Sequence, residues 1–307
     1  MKRSIIALCA AVLLGLTGCS DSAANSASKT EQQAAGTEMP TVKIDGKDTH
    51  LEFPDSNPPE GLQKTVLDEG EGRVIEETDF VVAHYVGQVW GNEKPFDSSF
   101  SRGSGAGFSL QGVIPGWTQG LSGLKSGAKV ILSIPSKLGY GPAGGNAQAG
   151  IGKDDTIAFY VEILDAFGGD QAGDPNATPE ADPASLPVEI EGELGQPVTV
   201  KVKEGTANPT EISTTVIARG SGPEVGGEGS RLYMQYSMSL IDNSKSETSY
   251  GKAGPFLSTI GGGSIFDGLT GIPVGSRVLV MAPPQGPESD DNKQGLAVVV
   301  DILGIDK

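Results

Sequence analysis

The chain has 307 residues, with 45 Gly, 20 Pro and a formal net charge of −17. That length suggests about two domains, and short Val/Ile-rich runs between Gly, Pro, Asn and Asp clusters suggest mostly β structure. So acidic a chain is unsuited to nucleic acid, whose phosphates are held by Lys and Arg; the excess of acid serves solubility.

In chain order, the first feature is a positive start, Lys2 and Arg3, followed by the apolar run "SIIALCAAVLLGL". The run is too short for a comfortable membrane span. It ends in "LTGC", and a small residue before Cys19 at that point resembles the bacterial lipoprotein signal. The resemblance implies cleavage before Cys19, lipid on its sulfur and acylation of its new amino group. It further implies an extracytoplasmic protein lipid-anchored to the membrane of the cell envelope. Residues 1–18 are read as the signal peptide. Residues 19–39, polar and acidic with no apolar period, are read as a flexible tether. Cys9 leaves with the signal, so no free thiol remains, which excludes disulfides, Cys nucleophiles and Cys-ligated metals. No cofactor and no metal are expected.

Residues 169–185, "GDQAGDPNATPEADPAS", read as an acidic linker between domains at 40–168 (core 61–168) and 186–307. The two domains echo each other. "TVKIDGK" at 41 returns as "PVEIEGE" at 187, and "GLQKTVLDEGEG" at 61 as "EISTTVIARGSG" at 211. "FVVAHYVG" at 80 matches "RLYMQYSM" at 231, setting Tyr85 against Tyr236. "GLSGLKSGAKVIL" at 120 matches "GLTGIPVGSRVLV" at 268, and "IAFYVEIL" at 157 matches "LAVVVDIL" at 296. Five blocks in one order define an internal repeat.

In the first copy, strands are predicted at 62–68, 79–89, 128–134 and 156–165. Alternation puts Val81, Ala83 and Tyr85 on one face and Phe80, Val82 and His84 on the other. Pro115 has the φ suited to a first helical turn, and Trp117, Leu121 and Leu124 then make one apolar stripe. Gly127 closes the turn into the next strand. The expected fold is α+β, an antiparallel sheet wrapped around one short helix in each domain. Taken singly, the notable residues are ordinary: Tyr85 and Phe159 suit a strand core, Asp97 a turn beside Ser98 and Ser99, Tyr140 a loop anchor. His84 reads as a strand-surface residue and His50 as incidental. "GGGS" at 261 lacks the Lys of a phosphate loop and reads as a plain loop.

Taken together they say more. "VVAHYVG", "PFDSSF", "FSLQGVIPGWTQGL", "GLKSGAKVILSIP", "LGYGPAG" and "TIAFYVEIL" stand in the order found in FKBP-type peptidyl-prolyl cis-trans isomerases, across essentially all of 61–168. The resemblance implies a sheet half-wrapped around one short helix, with an apolar pocket for a prolyl ring between them. Carried over by position, Trp117 is the floor of that pocket, and Tyr85, Phe96 and Phe159 its sides. Val113 and Ile114 form the rim, where the Ile114 amide donates to a ligand carbonyl. Tyr140 supplies a hydroxyl for the substrate carbonyl, Asp97 is the polar group facing the pocket, and Ile151 is an apolar loop residue beside it. The implied ligands are proline-containing segments of exported or unfolded proteins, and macrolide inhibitors. The chain departs from the family at Ala106, where a second aromatic is common, so a more open wall and weaker macrolide binding are expected.

The second copy keeps the helix spacing at Ile265, Leu269 and Ile272 but loses the pocket motifs. "PFDSSF" becomes "SETSY", with Glu247 in the place of Asp97, "VIPGW" becomes "GGGSI", no "GYG" occurs in "APPQGPESDDNKQG", and Phe159 is matched by Val298. The implied function is isomerisation of X–Pro bonds in exported proteins by the first domain only. A non-catalytic chaperone or client-binding lipoprotein, using both domains, is the alternative.

Overall fold

The computed structural model of the chain describes residues 38–284 and 294–306. Cys19, the signal peptide, nearly all of the tether and most of "APPQGPESDDNKQG" lie outside the described residues.

Thr41–Lys43 (β1) and His50–Glu52 (β2) form a leading hairpin. The first sheet then takes Gln63–Asp68 (β3), Phe80–Val89 (β4), Asp97–Ser98 (β5), Ala106–Ser109 (β6), Lys129–Ile134 (β7) and Ile157–Phe167 (β8). Its order is β3–β7–β8–β4–β5, with β6 also on β4, and neighbouring strands run antiparallel. The four longest of these strands are the four that alternation predicts, each within two residues.

The remainder repeats this plan. Thr178–Pro179 (β9) precedes a second hairpin, Val188–Glu191 (β10) and Thr199–Val202 (β11). Ser213–Arg219 (β12), Arg231–Leu240 (β13), Ser246–Thr248 (β14), Phe256–Thr259 (β15), Arg277–Ala282 (β16) and Leu296–Ile305 (β17) follow. Their order, β12–β16–β17–β13–β14 with β15 on β13, is that of the first sheet. Even the bulges recur: Val66/Asp68 answers Val216/Ala218, and Val82/Ala83 answers Tyr233/Met234.

The helices depart from one per domain. The first domain has two, Ser99–Arg102 (α1) and Pro115–Leu121 (α2). For α1, Ser98 is the N-cap, its side chain accepting from the Ser101 N–H at 3.3 Å. Gly103 closes α1 in the left-handed region, returning its N–H to the carbonyls of Ser99 and Phe100. In α2, Pro115 occupies the first turn as predicted, where its missing N–H costs nothing. Gly116 and Gly120 let α2 lie close on β7, since a Cβ there would come within 2.3 Å of Ile134 and 2.9 Å of Leu132. Among the described residues the second domain has no α-helix. Asp267–Leu269 is one 3-10 turn, and Gly261, Gly262 and Gly263, all at positive φ, replace the Pro-led start. Leu269 and Ile272 still fill the core beneath it.

The first sheet is covered on both faces. One core lies between the sheet and α2. On the opposite face the leading hairpin packs Leu51 against Val86, Ile131, Ala158 and Tyr160. Further along, Val82 and Phe167 meet Tyr233 and Leu303 of the second sheet, with Phe167 stacked on Tyr233 at 5.1 Å. The segment at 169–185 is built into the second sheet: β9 pairs with β12, and the Gly169 carbonyl accepts from the Gln235 side chain at 2.9 Å and from the Gly251 N–H at 3.0 Å.

Candidate active site

Tyr85 projects from β4 toward α2, as its alternation requires. Its ring meets Trp117 edge-on, with centroids 5.5 Å apart. On the neighbouring strand Phe159 stands opposite Gly87. A Cβ at Gly87 would fall 2.6 Å from Phe159 and 2.7 Å from Phe96, so the bare glycine lets those rings meet, edge-on at 5.6 Å. Trp117, only 4% exposed, touches Phe159 at 5.2 Å and Phe108 at 5.2 Å. Such edge-to-face pairs add about 0.5–1.5 kcal/mol each beyond burial, which makes the floor rigid.

These rings bound a cavity of about 280 Å³, lined by Tyr85, Phe96, Asp97, Phe108, Gly112, Val113, Ile114, Trp117, Tyr140 and Phe159. Eight of the nine side chains expected from the sequence meet there. Ile151 does not line the cavity: it is 3% exposed in the core, its backbone paired with Asn146. A larger cavity of about 510 Å³, lined by Arg73, Glu76, Asp79, Gly169 and Lys252 among others, has no aromatic floor.

Two donors at the aromatic cavity are free. Among the described residues, neither the Ile114 N–H, ahead of α2, nor the Tyr140 hydroxyl has a protein acceptor. Asp97 and Tyr85 are committed to each other. The Tyr85 hydroxyl donates to Asp97, Arg102 pairs with Asp97, and a second Arg102 nitrogen donates to the Tyr85 oxygen at 2.8 Å. Burial, reinforced by the Asp97 carboxylate, pushes Tyr85 up to about 12. For Asp97, burial acts upward, but hydrogen bonds from Tyr85 and Arg102 outweigh it and hold the carboxyl below its ordinary value. Tyr140 is raised by burial, then by the charge of Asp97. The pocket therefore presents an apolar box, two free donors and one neutralised carboxylate.

Phe108, Gly112 and Arg102 are absent from the sequence expectation. Phe108 shares its strand face with Ala106, and the cap pattern Ser98 to Gly103 around α1 would have brought Arg102 back toward Asp97. In the second domain the polar network survives. Glu247 pairs in register with Met238, two residues after Tyr236, as Asp97 pairs with Gly87, two after Tyr85. The Tyr236 hydroxyl donates to Glu247 at 3.0 Å, and Lys252 reaches Glu247 at 3.2 Å, in the role of Arg102. The aromatic box is lost: Val298 is in the core and Ile265 is only partly buried beside it.

A family model described as FKBP-type peptidyl-prolyl cis-trans isomerase matches residues 71–164. The chain is 43% identical over 122 residues to the FKBP-type peptidyl-prolyl cis-trans isomerase FkpA of Escherichia coli strain K12, covering 40% of this chain and 43% of that protein. It is 35% identical over 117 residues to a probable FK506-binding protein of Corynebacterium glutamicum, covering 38% of this chain and 96% of that protein. The crystal structure of FkpA from Escherichia coli aligns at 42% identity over 35% of this chain and 49% of that one, with a TM-score of 0.33. The chain thus spans less than half the length of the Escherichia coli relative.

Proposed function

The chain belongs to the FKBP-type peptidyl-prolyl cis-trans isomerase family, and we propose that its first domain, residues 40–168, isomerises X–Pro bonds in exported proteins. The observation that carries this reading is the aromatic box over Trp117 with two unpaired donors at its edge. Rotation about an X–Pro bond must break amide resonance, a barrier of about 18–20 kcal/mol for peptide bonds generally. The twisted amide is less polar than the planar one, so an apolar box favours it. Trp117 supports the ring, Tyr85, Phe96, Phe108 and Phe159 hold it laterally, and the Ile114 N–H and Tyr140 hydroxyl hold substrate carbonyls. Only binding stronger in the twisted state accelerates the reaction, about tenfold for each 1.4 kcal/mol. Spontaneous isomerisation takes tens of seconds or longer, which makes assistance useful to a chain folding outside the cell membrane. The "LTGC" signal supports lipid on Cys19 and a tethered position at the envelope.

Activity is assigned to the first domain because Ile265 and Val298 replace the Trp and Phe of the box. In a proline-limited refolding assay the full chain should accelerate refolding, and Trp117→Leu should remove most of that acceleration. A folded Trp117→Leu protein with unchanged activity would exclude the first-domain pocket.

A client-holding role for the second domain is favoured by one observation. Phe256 and Leu257 on β15 are 41% and 39% exposed, with Phe256 edge-on to Tyr236 at 5.5 Å. Phe256→Ser with Leu257→Ser should then weaken suppression of client aggregation while leaving isomerisation intact; equal suppression by variant and wild type argues against holding.

A further inference from the structure

The leading hairpin forms more than a cover for the sheet. A groove of about 560 Å³ runs between its turn, Lys47 to His50, and the segment from Glu93 to Ser98. Phe96 and Asp97 line both this groove and the aromatic cavity, so the groove lies directly beside the pocket. The family match begins at residue 71, so the hairpin wall lies outside it.

That wall is held in place. Gln88, fully buried on β4, accepts from the Leu51 N–H at 2.5 Å and donates to the Leu51 carbonyl at 3.2 Å. Thr49 is 1% exposed and ties the turn, donating to the Gly46 carbonyl at 2.8 Å and accepting from the Asp45 N–H at 3.2 Å. Phe53 packs on Trp90 at 5.2 Å, and the Trp90 ring N–H donates to the Ser56 carbonyl at 3.0 Å. A preorganised wall loses little freedom when a ligand binds.

The lining chemistry differs from that of the aromatic box. Lys47 and His50 face the groove together with Asp48 and Glu93, so donors and acceptors of both signs are present. This suits the alternating amides of an extended polypeptide better than any single kind of side chain. An extended chain advances about 3.3 Å per residue, so residues near a proline seated on Trp117 would pass Phe96 and Asp97 within a short length of chain.

We propose that this groove is a subsite for the polypeptide flanking the target proline, favouring long unfolded substrates over short peptides. The proposal rests on the isomerase reading of the aromatic pocket. It is tested on the full chain with Lys47→Trp, which fills the groove from an exposed position. Two substrates are compared, a chromogenic proline tetrapeptide and a twelve-residue peptide with proline at its centre. The variant should keep the tetrapeptide kcat/KM within about twofold and raise KM for the long peptide about fivefold with kcat held, as loss of a peripheral contact implies. An unchanged long-peptide KM, or equal losses on both substrates, overturns it. A second measurement needs no turnover. The twelve-residue peptide, spin-labelled at either end and bound to wild-type protein, should broaden the amide signals of Lys47 and His50 from one end. No broadening from either end overturns the subsite. A wild-type protein inactive on the tetrapeptide would instead count against the isomerase reading, with the broadening still deciding the subsite.

Discussion

Asp97 and Tyr85 illustrate how one side chain is read differently alone and in place. Alone, Asp97 beside two serines is a turn residue. In the fold its charge is divided between the Tyr85 hydroxyl and Arg102, whose guanidinium also stands 5.5 Å from the Tyr85 ring. Asp97→Asn removes a group that raises Tyr85, so the Tyr85 pKa should fall from about 12 toward its ordinary value of 10.0; tyrosinate absorbance against pH reads this directly. The same network sets the pH profile. The folded pKa of Asp97 lies below its ordinary 3.8, so its pairing stabilises fully above that value and is lost as pH falls through the lowered pKa. With Tyr85 and Tyr140 raised, kcat/KM should be flat across neutral pH. A bell centred near neutrality would show that another titrating group takes part.

The elements around the pocket owe their placing to contacts distant in sequence. The leading hairpin echoes "PVEIEGE" of the second copy, yet nothing local says where it docks. Gln88 decides this by satisfying both backbone groups of Leu51 in a buried setting. Gln88→Leu would strand those groups, at a cost of about 1–3 kcal/mol for each one left buried. A lower thermal midpoint and faster hydrogen exchange at Leu51 are expected; unchanged exchange would mean that apolar packing alone holds the hairpin. The second hairpin is tied differently. Arg277, 3% exposed, pairs with the buried Asp301 at 2.8 Å and donates to the carbonyls of Glu193 and Gln196 at 3.0 and 2.8 Å. The corresponding pair in the first sheet, Lys129 and Glu162 at 3.6 Å, is more exposed.

Across the whole described chain, the outward face of β4 is not a solvent face. Alternation assigns Phe80 and Val82 away from α2, and a single domain would leave them wet. Tyr233 covers them, stacking on Phe167 at 5.1 Å, tilted against Phe80 at 6.3 Å, and donating its hydroxyl to Asp306 at 2.7 Å. Removing a large buried aromatic costs about 3–5 kcal/mol. Tyr233→Ser should therefore lower the thermal midpoint and separate the melting of the two sheets in calorimetry. A variant that melts as the wild type does would show that this contact couples nothing.

Strand positions, the repeat and eight of nine pocket side chains were legible in the residues. Alternating faces, a proline-led helix start and ordered motifs are local or repeated signals, and a chain cannot hide them. Ile151 shows the limit: it is buried in the same core as Tyr85, Trp117 and Phe159, behind the pocket rings, but does not itself line the cavity. The loss of the second helix was half-hidden too, since Ile265, Leu269 and Ile272 keep helical spacing while three left-handed glycines stand where the first domain has its Pro-led start. Arg102, the docking of the hairpin on Gln88 and the meeting of Phe167 with Tyr233 join residues through space. Periodicity reports which face of an element is apolar; which surface covers that face depends on packing between distant parts of the chain.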